Sequence, residues 1–190
     1  MTRWTKTKRR ALTPGYAVVL VGLVAISGWA SESRPVGTFE VVSSSMQPTL
    51  FQGDDVLSVS ADWWAAPPQP GDLVVFYPPS RIGSEIPVVK RIVAHGGDVV
   101  AIRHGTLYVN GRSHVEPYAR SYSRDYHYGP LQVPPGTVFV LGDNRAISED
   151  STTYGPVPLS RIERVVWLRV DGWGRFCSPS AVPATALPQC

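Results

Sequence analysis

Lysine is nearly missing from this chain. Three lysines stand against fifteen arginines, and only Lys90 lies outside the first ten residues. Arginine stays protonated in proteins, whereas a desolvated lysine can lose its proton and act as a base. In an arginine-biased chain, Lys90 is therefore a candidate for base chemistry. Cysteine is scarce as well. Cys177 and Cys190 lack metal-site spacing, and no histidine follows them at a ligand interval, which excludes a zinc site built on them. If the tail is exported, the two cysteines could close a small disulfide loop, with unpaired thiols as the alternative. His95, His104, His114 and His127 form neither a metal set nor a triad, so no metal and no cofactor is expected. The formal charge is only +3, and much of it sits on Arg3, Lys6, Lys8, Arg9 and Arg10. The remainder is near neutral with no basic stripe, so nucleic acid is not an expected partner. There is no internal repeat.

Long apolar runs are equally rare. The one long apolar stretch is Gly15 to Ala30, which carries no charge. At about 1.5 Å per residue it spans roughly 24 Å, short of a hydrocarbon core of about 30 Å. Adding Leu12, Thr13 and Pro14 brings it to a marginal spanning length, since proline is tolerated in a first helical turn. The basic cluster before it places residues 1–11 in the cytoplasm, 12–31 across the bilayer, and 32–190 outside. A cleaved signal peptide is the competing reading, because Gly28-Trp29-Ala30 loosely resembles a cleavage site. Trp29 fits a membrane interface equally well, and the uncleaved anchor is preferred. Either way the following domain is exported.

Glycine and proline are plentiful, at 17 and 18. With short β-type runs bounded by turn signals, they point to a mostly β domain. Strands are expected at Thr38–Ser43, Asp55–Ser60, Asp72–Tyr77 and Ile86–Ala94. Further strands are expected at Val99–Arg103, Thr106–Val109 (ending at an Asn110-Gly111 turn), Thr137–Leu141 and Ile162–Val170. Residues 112–135 read as a short polar insertion with little regular pattern, and 172–190 as a C-terminal tail. Trp63-Trp64 read as core or loop packing, with membrane contact as the other option. Helix is expected only in the anchor and for one turn after Pro48.

The chemistry gathers on three stretches. In Val41-Val42-Ser43-Ser44-Ser45-Met46-Gln47-Pro48, β-branched residues give way to small hydroxyls, and Pro48 has no N–H to continue pairing. If the extension persists, a period of two puts Phe39, Val41, Ser43 and Ser45 on one face. That face would be a small apolar groove ending in a nucleophile. In Val88-Val89-Lys90-Arg91-Ile92-Val93, an inward Lys90 is desolvated and its pKa falls from about 10.4 towards neutrality. Arg91 then points to the opposite face and stays in water. In Gly142-Asp143-Asn144-Arg145, followed by Ser148, Asp150 and Ser151, an apolar strand ends in a turn dense with hydrogen-bonding groups.

With Gly53-Asp54, Gly71-Asp72 and Gly97-Asp98, these stretches resemble, in order, the conserved boxes of bacterial type I signal peptidases. The resemblance covers nearly the whole exported domain. It implies a membrane-bound serine endopeptidase on an all-β core of partly open, barrel-like sheets, acting as a monomer at the bilayer on exported precursor proteins. By position, Ser45 resembles the nucleophile, Lys90 the general base, and Ser43 the side-chain oxyanion donor. Ser148 resembles the serine that hydrogen-bonds the lysine. Asp143, Asn144 and Asp150 support the site. Phe39, Val41, Met46 and Val89 are the expected substrate wall, which the family's small-x-small preference would suit.

Three positions depart from the resemblance. Ala146 and Ile147 replace a usual Asp-Asn, and Thr152 replaces an arginine that usually pairs with Asp150. A differently braced turn is expected. A dedicated maturation protease of the same chemistry and an inactive tethered β module are the alternatives. A self-cleaving repressor would need a DNA-binding segment, for which the apolar N-terminus leaves no room.

Overall fold

The computed structural model describes residues 35–63, 66–79, 86–170 and 176–177. The basic residues 1–11, the anchor 12–31, Trp64 and Cys190 lie outside them. Among the described residues, no helix is long and apolar enough to cross a membrane.

Twelve strands are described: β1 Val36–Glu40, β2 Asp55–Ser60, β3 Leu73–Phe76, β4 Val88–His95, β5 Val99–Arg103 and β6 Thr106–Val109. The rest are β7 Arg112–Ser113, β8 Tyr128–Gln132, β9 Thr137–Leu141, β10 Val157–Pro158, β11 Ile162–Val170 and β12 Phe176–Cys177. An open sheet runs β1-β2-β11-β3-β4-β9-β10, and β12 also pairs with β11. A second sheet runs β7-β6-β5-β8.

Three turns in this fold use one device. Gly53, Gly71 and Gly97 have φ of 85°, 102° and 100°, as the third position of a type II turn requires. The aspartate after each glycine closes the turn twice. Asp54, Asp72 and Asp98 accept through Oδ2 from the N–H of Phe51 (2.6 Å), Gln69 (2.8 Å) and His95 (2.9 Å). Their own N–H groups donate back to the carbonyls of those same residues. Gly-Asp before an apolar run thus starts β2, β3 and β5.

The central strands are apolar on both faces, because both are covered. Leu73 to Phe76 are all buried, and so are Lys90 to Ala94. One cluster joins Val74, Phe76, Ile92, Val140 and Val165. A second joins Val93 and Leu141 to Val100, Ile102 and Leu107 of the smaller sheet. The third, around Met46, Leu50, Val56 and Val75, lies under the serine stretch.

Several expectations need correction. β1 ends at Glu40, not Ser43. Val41 still donates to Asp54 O and accepts from Gly53 N–H (2.8 and 2.9 Å), after which the chain leaves the sheet. The polar insertion is organised: it contributes β7 and β8, and it buries Tyr122 against the second cluster, stacked on Tyr126 at 4.3 Å. Trp63 is not core packing; it is 62% exposed on a 3-10 turn. Part of the C-terminal tail is strand, since Cys177 pairs with Arg169. A short helix, α1 (Ser151–Tyr154), was not expected from a Ser-Thr-Thr-Tyr run; Asp150 caps it by accepting from Thr152 N–H.

Candidate active site

The serine stretch is pinned on both sides by burial. Val41 before it is 8% exposed, and Met46 and Leu50 after it are 2% and 0% exposed. Leu50 N–H donates to Met46 O at 3.0 Å and closes a turn across Pro48, but the helical turn expected after that proline is not formed. Between these anchors Ser43 is exposed and Ser45 half-buried, with their Oγ atoms 3.2 Å apart. Two hydroxyls at that distance can serve one reacting carbonyl.

Lys90 comes from the middle of β4, opposite Val74 of β3. It is 3% exposed. A lysine so deep in a sheet is withdrawn from bulk water, the setting in which an amine can serve as a base. Lys90 lines a cavity of about 600 Å³ together with Ser43 and Ser45. Phe39, Val41, Met46 and Val89 line the same cavity. The sequence-predicted wall and the side chains of Ser43, Ser45 and Lys90 therefore share one space, although Lys90 and Ser45 are far apart in the chain.

Arg91 does not stay in water. It points away from Lys90, but that face is covered, and Arg91 is 0% exposed. Asp143 receives it in a bidentate pair, with Nε to Oδ1 at 2.9 Å and Nη2 to Oδ2 at 2.7 Å. Nη1 donates to Gly71 O at 2.7 Å, and the Tyr118 ring lies 4.0 Å away. Thr49 also donates to Asp143 Oδ2. Asn144, next in the chain, holds the serine stretch directly. Its backbone N–H donates to Ser45 O at 2.9 Å, and Nδ2 donates to Ser44 O at 3.1 Å.

Ser148 lies across Gly142 from Ser45. A methyl group on Gly142 would collide with Ser148 and stand 2.7 Å from the Ser45 carbonyl oxygen. Only glycine lets both approach. The expected hydrogen bond from Ser148 to Lys90 is not made; Ser148 Oγ is buried without a partner among the described residues. Asp150 is fully buried and braced by neutral donors: Gly142 N–H (3.1 Å), Thr152 N–H (3.1 Å) and Thr152 Oγ1 (2.8 Å). Thr152 thus fills part of the place expected for arginine. Burial, with the charges of Asp150 and Glu149 beside it, pushes the phenol of Tyr154 well up. This cavity residue stays protonated. Among the described residues, no group of three or more His, Cys, Asp or Glu could hold a metal ion.

Residues 13–170 match the family described as signal peptidase, peptidase S26. The chain belongs to that family. It is 34% identical over 155 residues to a probable signal peptidase I-1 of Synechocystis sp., covering 77% of this chain and 79% of that one. It is 38% identical over 153 residues to thylakoidal processing peptidase 1, chloroplastic, of Arabidopsis thaliana, covering 76% of this chain and 43% of the longer relative. A solved signal peptidase I from Enterococcus faecalis matches 52% of this chain and 95% of its own, at 34% identity and a TM-score of 0.45. As a member of the S26 family, the chain is a serine peptidase, a hydrolase.

Within this signal peptidase fold, the sequence reading overlooked the residues that hold the site from behind. Thr49 and Arg91 hold Asp143, Gly142 spaces two serines, and Arg145 anchors the turn. Arg145 is 4% exposed and makes a bidentate pair with Glu116 at 2.6 and 2.7 Å, while its Nε donates to Gly142 O at 3.0 Å. The signal available was charge in an otherwise apolar neighbourhood, since a buried guanidinium requires a carboxylate.

Proposed function

We infer that this chain removes signal peptides from exported precursor proteins, with Ser45 as nucleophile and Lys90 as general base. It acts as a single-pass, monomeric protein of the cytoplasmic membrane, with its N-terminus inside and its catalytic domain on the outer side. The observation that carries this reading is the shared cavity: Ser43, Ser45 and a buried Lys90 line one apolar space.

The chemistry follows from the residues. Neutral Lys90 takes the proton of Ser45 Oγ as that oxygen bonds to the scissile carbonyl carbon. The resulting oxyanion is stabilised by the Ser43 hydroxyl and the Ser45 backbone N–H. When the C–N bond breaks, the Lys90 ammonium returns its proton to the departing amine. Water then attacks the Ser45 ester, again giving a proton to Lys90, and the Ser45 oxygen leaves with that proton. Ser148 positions Lys90; hydrogen bonds loose in an empty site tighten around substrate. An extended substrate lies along Phe39–Ser43 and sends alternate side chains into the cavity. The crowding of Phe39, Val41 and Val89 favours small residues at the first and third positions before the cut.

Incubating the detergent-solubilised chain with a secretory precursor tests this. Wild type yields the mature protein; Ser45→Ala and Lys90→Ala each yield essentially none. Cleavage persisting in both variants would end the Ser-Lys assignment.

A further inference from the structure

The floor and the lip of the cavity differ in a way the reaction does not explain. Phe39, Val41 and Val89 on the floor pack against the buried cluster beneath the serines. Val42 and Ile147 line the same cavity but are 70% and 58% exposed. Exposed apolar side chains on the wall of a cavity give an apolar ligand entering it further area to cover. Here the surface is continuous with the substrate site, so the occupant is the substrate chain itself.

Strand geometry says which part of the substrate it is. Successive side chains of an extended peptide point to opposite sides. If the first and third residues before the cut enter the floor, the second turns away from it, towards the lip. Val42 adjoins Ser43, and its carbonyl accepts from Gln52 Nε2 at 3.0 Å. Ile147 adjoins Ser148, in a turn fixed by its N–H donating to Asn144 O at 3.2 Å. Both therefore sit at the catalytic end of the groove. Ile86, also exposed on the rim, lies on the stretch that leads into β4 and adjoins neither serine.

We propose that Val42 and Ile147 form a specificity-determining lip that favours a bulky apolar side chain at the second position before the cut. Ile147 stands where the family resemblance leads one to expect asparagine, so this preference belongs to this chain. The proposal rests on the signal-peptidase reading above.

The test uses the full chain in detergent and peptides with alanine at the first and third positions. Leucine, serine or aspartate is placed either at the second position before the cut or at the first position after it. The expected kcat/KM ratio of leucine to serine at the second position is about tenfold, the low end of what an apolar contact supplies. In Ile147→Asn that ratio falls to about two, and Val42→Ser lowers it similarly, whatever the absolute rates. A ratio near one in wild type, a preference found only after the cut, or a ratio unchanged in both variants overturns the lip. Absence of cleavage of every peptide and of a full precursor overturns the signal-peptidase reading itself, and the lip with it.

Discussion

Asp143 and Asp150 stand at the two ends of one turn, both fully buried, and they are neutralised in opposite ways. Asp143 meets a guanidinium, Arg91, in a bidentate pair with Thr49 as a further donor. Asp150 meets only neutral donors from Gly142 and Thr152 among the hydrogen bonds described. The first arrangement fixes a charge by a charge. The second fixes it by dipoles and by the start of a helix, which favours negative charge. The Asp143 end holds the serine stretch through Asn144, and the Asp150 end holds Ser148 over Gly142. The difference teaches that the Ser45 side of the turn is held through a buried ion pair, and the Ser148 side through neutral donors among the hydrogen bonds described.

Breaking the charged end has the largest expected effect on stability. Arg91→Met leaves Asp143 buried and uncompensated, and urea unfolding should show a loss of about 3–5 kcal/mol. Gly142→Ala strikes between the two ends, displacing Ser148 and the Ser45 backbone together. Because a misplacement of about 1 Å costs on the order of 100-fold, kcat/KM should fall by roughly that factor while far-UV circular dichroism stays unchanged. At the neutral end, Thr152→Val removes one hydrogen bond to a buried carboxylate, and thermal unfolding should register about 2 kcal/mol. If Thr152→Val costs as much as Arg91→Met, the contrast between the two ends is wrong. Asn144→Ala removes the bond from Nδ2 to Ser44 O; it should lower kcat by about fivefold, in line with a single hydrogen bond.

The strands were legible because each apolar run is bracketed by turn residues with a defined conformational job. Asp55–Ser60, Val99–Arg103, Thr106–Val109, Thr137–Leu141 and Ile162–Val170 match the described strands at both ends. The serine stretch and Lys90 were legible through residue type, and the cavity brings them together. Arg91 was misread because alternation along a strand tells which side a residue faces but not whether that side is covered. Residues 112–135 were misread for a related reason. Their order comes from distant partners: Glu116 with Arg145, Tyr118 under Arg91, and the Arg120 N–H donating to Asp143 O at 2.7 Å. No local pattern encodes those contacts. Ile147 was noticed only as a departure, and its place on the cavity rim gives it a role.

The account rests on a buried lysine that must be neutral to act. The measurement that tests it most directly is kcat for a short peptide substrate across pH 6 to 9. Loss of the Lys90 proton should make the rate rise with pH through this range. A flat profile, in protein shown to remain folded throughout, would contradict Lys90 as the base.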